Sequence, residues 1–167
     1  MALIRDVLLS EFDHEIAATR RLLQRLPEAA FGWKPHERSM SLGALATHLS
    51  QIPHWGTAIL EREGYDEILD HKGPAPEKQT VADVLAAFDA HAAEVRRVLL
   101  PLTEAQLAEP WTYRRGGQLI MSVPKLGALR RFLLNHLVHH RGQLTVYLRL
   151  QNVALPPLYG PTADETM

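Results

Sequence analysis

The chain has 167 residues, with 18 Lys+Arg against 19 Asp+Glu, nine His and no Cys. That length fits one domain over residues 1–167, and the balanced charge argues against a nucleic-acid binder working through a basic surface. The lack of thiols excludes disulfides, thiolate metal sites and Cys nucleophiles together, which leaves imidazole chemistry as the compositional lead.

The first predicted helix runs from about Leu3 to Leu26, where Ile4, Leu8, Phe12, Ile16, Leu22 and Leu26 recur near helical period. Arg5, Asp6 and Glu11 interrupt its apolar start, so no signal-peptide core is expected. No apolar run approaches the ~18 residues of a membrane span, and the expected compartment is cytoplasmic. The second helix starts after Ser41, an N-cap, and runs to about Glu63 with Gly64 as its C′ residue. Pro53 lies inside it and is expected to kink or divide it. The Gly- and Pro-bearing stretch Tyr65–Gln79 reads as a loop.

Thr80 with Asp83 caps a third helix along Val84, Phe88, His91, Val95 and Leu99, and Pro101 ends it. Thr103 and Gln106 repeat the capping-box pattern at the start of a short helix. Tyr113–Val123, around Gly116-Gly117, reads as a loop or small hairpin. The fourth helix spans about Pro124 to Leu150, ahead of a non-helical tail at 154–161. Four long helices without a convincing strand pattern imply an all-α four-helix bundle.

His136 and His140 are four apart, on one face of the fourth helix. They fall on the line Leu129, Leu133, His136, His140, Leu144 and Tyr147, and His48 falls on the line Leu45, His48, Ile52, Trp55 and Ile59 of the second helix. Three imidazoles on apolar stripes have two explanations. Either each finds its own hydrogen-bond partners, or one divalent metal satisfies all three. Three His ligands would leave a coordination position open, as catalytic sites do. Leu137 stands where an HExxH protease would carry its Glu, so that general base is missing.

The segments TrpLysProHisGlu (33–37), SerMetSerLeuGlyAlaLeuAlaThrHisLeu (39–49), AsnHisLeuValHisHisArgGlyGlnLeu (135–144) and TyrGlyProThrAlaAspGlu (159–165) together resemble the DinB/YfiT-like family. The resemblance spans nearly the whole chain. It implies a bundle with an up-down-down-up path, a homodimer, and a divalent metal, zinc or nickel, held by His48, His136 and His140. It also implies an activity on a small molecule, thiol S-transfer or hydrolysis, with a low-molecular-weight thiol as a possible co-reactant. The alternative is a non-catalytic metal-containing stress-response or ligand-binding bundle.

Around these residues, His139 and His54 point away from the expected ligands, and Gln51 reads as a polar bundle residue. Trp55 and Tyr147 either wall a pocket or pack the core, with packing preferred. Trp33 and Trp111 are expected to pin loops. Asn135, Gln143 or a backbone carbonyl is the expected acceptor for a ligand imidazole's second N–H, and Arg141, a cation, cannot serve. The paired arginines at 20–21, 96–97, 114–115 and 130–131 read as solvated surface. Glu11, Asp13, Glu15 and Glu94 are candidate bases by position only, with a solvated face preferred for each.

Overall fold

Ser41, Thr80 and Thr103 each accept a hydrogen bond from the backbone N–H three residues on, and each starts a helix where the sequence places one. The computed structural model describes residues 3–71 and 73–166. Residues 1–2 and 167, the ends of the predicted single domain, and position 72 in the predicted loop lie outside them. Three long helices are α1 (Ile4–Leu23), α2 (Leu42–Glu61) and α3 (Val81–Leu99), followed by the short α4 (Glu104–Ala108). The fourth long helix has three parts that run on without a break: α5 (Lys125–Leu129), a π-helical turn (Arg130–Leu134) and α6 (Asn135–Leu150).

The chain is mostly helical, but it is not purely so. Strands β1 (Gly64–Asp66), β2 (Pro110–Arg115) and β3 (Gln118–Pro124) form a sheet in that order, β1 parallel to β2 and β2 antiparallel to β3. The expected hairpin is real. Gly116 and Gly117, both at positive φ (57° and 82°), make the two-residue turn whose twist suits antiparallel strands. The expected role of Gly64 is not met. It sits in β1 rather than capping α2, and a Cβ there would lie 2.2 Å from Thr112 Oγ1 and 2.5 Å from the Thr112 carbonyl oxygen. It is a close-approach glycine of a parallel pair.

α2 continues through Pro53, which is buried. Nearby, His91 Nδ1 of α3 lies 2.9 Å from the Ser50 carbonyl, giving that carbonyl a partner from outside the helix. α2 packs along α3 on one side and α6 on the other, and α1 also packs on both. The core between them is Leu22, Leu23, Leu45, Leu49, Ile52, Ile59, Phe88, Val95, Leu137 and Leu144, each at most 1% exposed. Among the described residues no helix is long and apolar enough to cross a membrane.

The buried line of the last helix differs from the expected one. Leu129, Leu133 and Leu144 are buried as expected, but the line runs on through Leu134, Leu137, Arg141 and Leu148, while His136, His140 and Tyr147 are only half-buried. The π turn Arg130–Leu134 adds one residue to a turn and buries both Leu133 and Leu134, so a reading at constant α-helical period drifts off the line beyond it.

Candidate metal centre

His136 and His140 project from successive turns of α6, and α2 lays His48 against them. Each of the three offers a ring nitrogen, and these atoms all lie within 4.8 Å of one another. His48 Nε2 is 3.1 Å from His136 Nε2. The three rings are half-buried rather than sunk in the dry core as the sequence lines suggested. The extra residue of the π turn explains this. It advances α6 by about 100° relative to α5, placing Leu137 and Arg141 in the core and the two histidines on its flank, toward α2.

One outer nitrogen is engaged by a side chain. His140 Nδ1 lies 2.7 Å from Gln143 Oε1, so the ring N–H donates there and Nε2 remains for the cluster. Gln143 is thus one of the acceptors expected from sequence. For His136 the Phe132 backbone carbonyl of the π turn opposes the effect of burial on its pKa. Asn135 is exposed and takes no part in this. Burial lowers the pKa of all three rings, and for His48 the neighbouring His140 and His136 add to it, bringing the value to about 4.

This donor set fits a divalent ion. A tetrahedral zinc with Zn–N distances of about 2.0–2.1 Å spaces its ligand atoms about 3.4 Å apart, which lies between the observed 3.1 Å and the 4.8 Å bound. The rings are neutral near pH 7, as ligation requires.

Two cavities meet at His48, Trp55 and His71. The smaller, about 250 Å³, is lined by His48, Trp55, Tyr65, Tyr113, Phe132 and His136, with the buried Trp111 beside them. The wider, about 600 Å³, is lined by His48, Gln51, His54, Trp55, His71 and Glu77. Trp55 therefore walls both. Tyr147 instead takes Trp33 edge-on at a ring separation of 5.7 Å, which pins the loop after α1, as expected for Trp33. Trp111 belongs to β2 rather than to a loop, and its Nε1 is buried without a hydrogen-bond partner.

His54 and His139 are exposed and stand outside the three-nitrogen cluster. Glu11, Asp13 and Glu94 pair with Arg130, Arg96 and Arg97 on the surface. Glu15 does not have the solvated role expected of it. It is buried and 2.6 Å from Arg141 Nη2, and Tyr159 Oη of the C-terminal tail donates to it at 2.9 Å.

Asp66 anchors the sheet that carries Tyr65 and Tyr113. Its carboxylate accepts from the backbone N–H groups of Gly116, Gly117, Ile68 and Leu69 at 2.6–3.1 Å. Burial alone would raise its pKa, but these four donors hold it at about 2. The carboxylate ties the chain after β1 to the hairpin turn and so fixes Tyr65 opposite Tyr113.

A family model described as the DinB family matches residues 1–166. A Bacillus subtilis (strain 168) protein named only as the uncharacterized protein YrdA is 28% identical over 160 residues, 96% of this chain and 90% of that one. The crystal structure of YjoA, a DinB-like protein of Bacillus subtilis, matches with a TM-score of 0.70 and 22% identity, covering 90% of this chain and 96% of that one. A DinB-like protein of Bacillus cereus matches with a TM-score of 0.68 and 22% identity, over 90% and 95% of the two chains.

Proposed function

The chain belongs to the DinB family, and from that premise we propose that His48, His136 and His140 hold one divalent metal ion, zinc or nickel, at which a small molecule reacts. The observation that carries this is the convergence of three neutral imidazole nitrogens on one point, with Gln143 fixing the His140 ring from outside. When bound, such an ion supplies Lewis acidity, stabilising the anionic form of a thiol or water that reaches it.

Thiol S-transfer is preferred to hydrolysis because two separate cavities reach His48, enough for two reactants rather than one and a water. The chain has no Cys, so the thiol is a low-molecular-weight co-substrate. The wider cavity, with Gln51 and His54 on its wall, is the place for that polar partner. The same premise gives the long helices an up-down-down-up bundle path. The pairs Asp13–Arg96 and Arg20–Asp89 run in opposite senses along α1 and α3, and Ser50–His91 and Glu61–Arg97 run in the same sense along α2 and α3, which supports it. It also makes a second copy of this chain the expected partner, in a cytoplasmic protein that uses neither nucleic acid nor membrane.

One observation favours a non-catalytic ligand-binding reading. The carboxylates lining the two cavities are already engaged, Glu67 by Tyr113 Oη at 3.0 Å and Glu77 by Ser41 Oγ at 3.1 Å, which leaves neither as a free general base.

The experiment is metal content by mass spectrometry on tag-free protein, wild type against the His48→Ala/His136→Ala/His140→Ala variant. It is followed by thiol-conjugation assays with small electrophiles. About one ion per chain in the wild type and none in the variant supports the site. No uptake of zinc or nickel removes it. Metal without conjugation or hydrolysis leaves the binding reading.

A further inference from the structure

We infer that the smaller cavity is the subsite for an uncharged aromatic group of the substrate, about two fused rings in size, held beside the histidine cluster. The inference rests on reading that cluster as the reacting centre, because it names what lies next to it.

Three separate parts of the fold send rings to this one space: α2 sends Trp55, the β1–β2 pair sends Tyr65, Trp111 and Tyr113, and the π turn sends Phe132. The rings are set against one another in the offset and edge-to-face arrangements that aromatic pairs prefer. Trp55 meets Tyr65 at 4.7 Å and 81°, and Tyr113 lies over Phe132 at 5.7 Å and 23°. A core would close such rings on each other. Here they leave about 250 Å³ open between them and two of the histidines. A dry cavity of about 150 Å³ takes up benzene, so this one has room for a second fused ring.

Charge separates this ligand from the other guest of aromatic walls, an organic cation. A nearby unanswered anion would favour the cation, but the one carboxylate lining this cavity, Glu67, already has Arg115 Nε at 3.7 Å and accepts from Tyr113 Oη. The far end of the cavity is imidazole, which supplies no negative charge. A neutral ring asks for neither, and an oxygen or sulfur substituent on it would point toward the histidines.

The test is calorimetric titration of the metal-free protein with 2-naphthol and with N-methylquinolinium, a cation of similar size. Tyr65→Leu and Phe132→Leu change this cavity from two different elements, and His54→Ala changes only the wider one. The expected result is binding of 2-naphthol, weakened about three- to tenfold by either wall variant and unchanged by His54→Ala, with N-methylquinolinium the weaker ligand. No binding of 2-naphthol to the wild type overturns the inference. So does tighter binding of the cation, or a loss in His54→Ala equal to that in the wall variants. Zinc uptake is measured on the same preparations. Ring binding without metal uptake defeats the metal reading alone, and metal uptake without ring binding defeats the subsite alone.

Discussion

Arg141 Nη2 lies 2.6 Å from Glu15 Oε2, joining α6 to α1 through a pair whose side chains are 1% and 9% exposed. Tyr159 closes the pair from the tail, its hydroxyl on the carboxylate and its ring 4.9 Å from the guanidinium carbon. Arg141 also donates to the Glu15 carbonyl and to Thr19 Oγ1, both at 3.2 Å.

Arg141→Met leaves Glu15 charged and buried with only Tyr159 to answer it. The expected loss is about 3–5 kcal/mol, read from urea unfolding. The double variant Glu15→Leu/Arg141→Met should recover much of it, because replacing both partners removes the desolvation penalty along with the attraction. A single variant within about 1 kcal/mol of wild type would show that the pair is not what fixes α6 on α1.

His136→Ala should abolish zinc and nickel uptake and remove any metal-dependent rise in melting temperature. His54→Ala should preserve both, since its ring lies outside the cluster. Equal metal content in the two variants would defeat the ligand assignment.

Protonation of the cluster has a definite sign. In the folded metal-free protein His48 titrates at about 4, mainly because of burial, whereas an unfolded histidine titrates near 6.5. Between those values the unfolded chain binds more protons, so His48 makes folding stability fall as pH drops from about 6.5 to about 4. His48→Gln should flatten the profile in that window when urea midpoints are compared. Metal, which needs the neutral ring, should be retained at pH values where free imidazole is already half protonated.

The anchor at Asp66 predicts a second pH dependence of similar sense in a lower window. Its pKa of about 2 lies below the unfolded value near 3.9, so its contribution is complete above the latter and is lost as pH falls toward 2. Asp66→Asn removes the charge and replaces one acceptor oxygen by an NH2 group, so one of the two hairpin donors, Gly116 or Gly117, faces a donor. Amide exchange at Gly116 and Gly117 should accelerate, while the α2 core amides stay protected.

Much of this fold was legible from residue chemistry. Ser41, Thr80 and Thr103 marked helix starts because capping is local, and Gly116-Gly117 marked a hairpin for the same reason. His136 and His140 were found because ligand spacing on one helix is also local, and His48 because it falls on the apolar line of its own helix and in a segment that carries the family resemblance. The β1 strand was not found: its three residues gain their structure from Thr112–Arg114, some fifty positions away, and Gly64 carries no sign of which close contact requires it. Arg141 was weighed only as a neighbour of the ligands and set aside as a cation, because nothing near it in sequence names Glu15 as its partner. The aromatic cavity was missed because Trp55, Tyr65, Tyr113 and Phe132 belong to separate elements that only the fold assembles.

The one-residue excess in the π turn makes the last long helix two screws joined out of phase. The lower screw is keyed by Lys125, whose ammonium grips the Leu60 carbonyl and Glu109. The upper is keyed by Arg141 in its socket on α1. Deleting one residue between Arg130 and Leu134 would bring the thread back into step, and the two keys could then no longer both engage. One half would have to turn by about 100°, carrying away either the imidazoles or the support of the sheet. The turn is thus a phase setting between the sheet-side cavity and the histidine cluster.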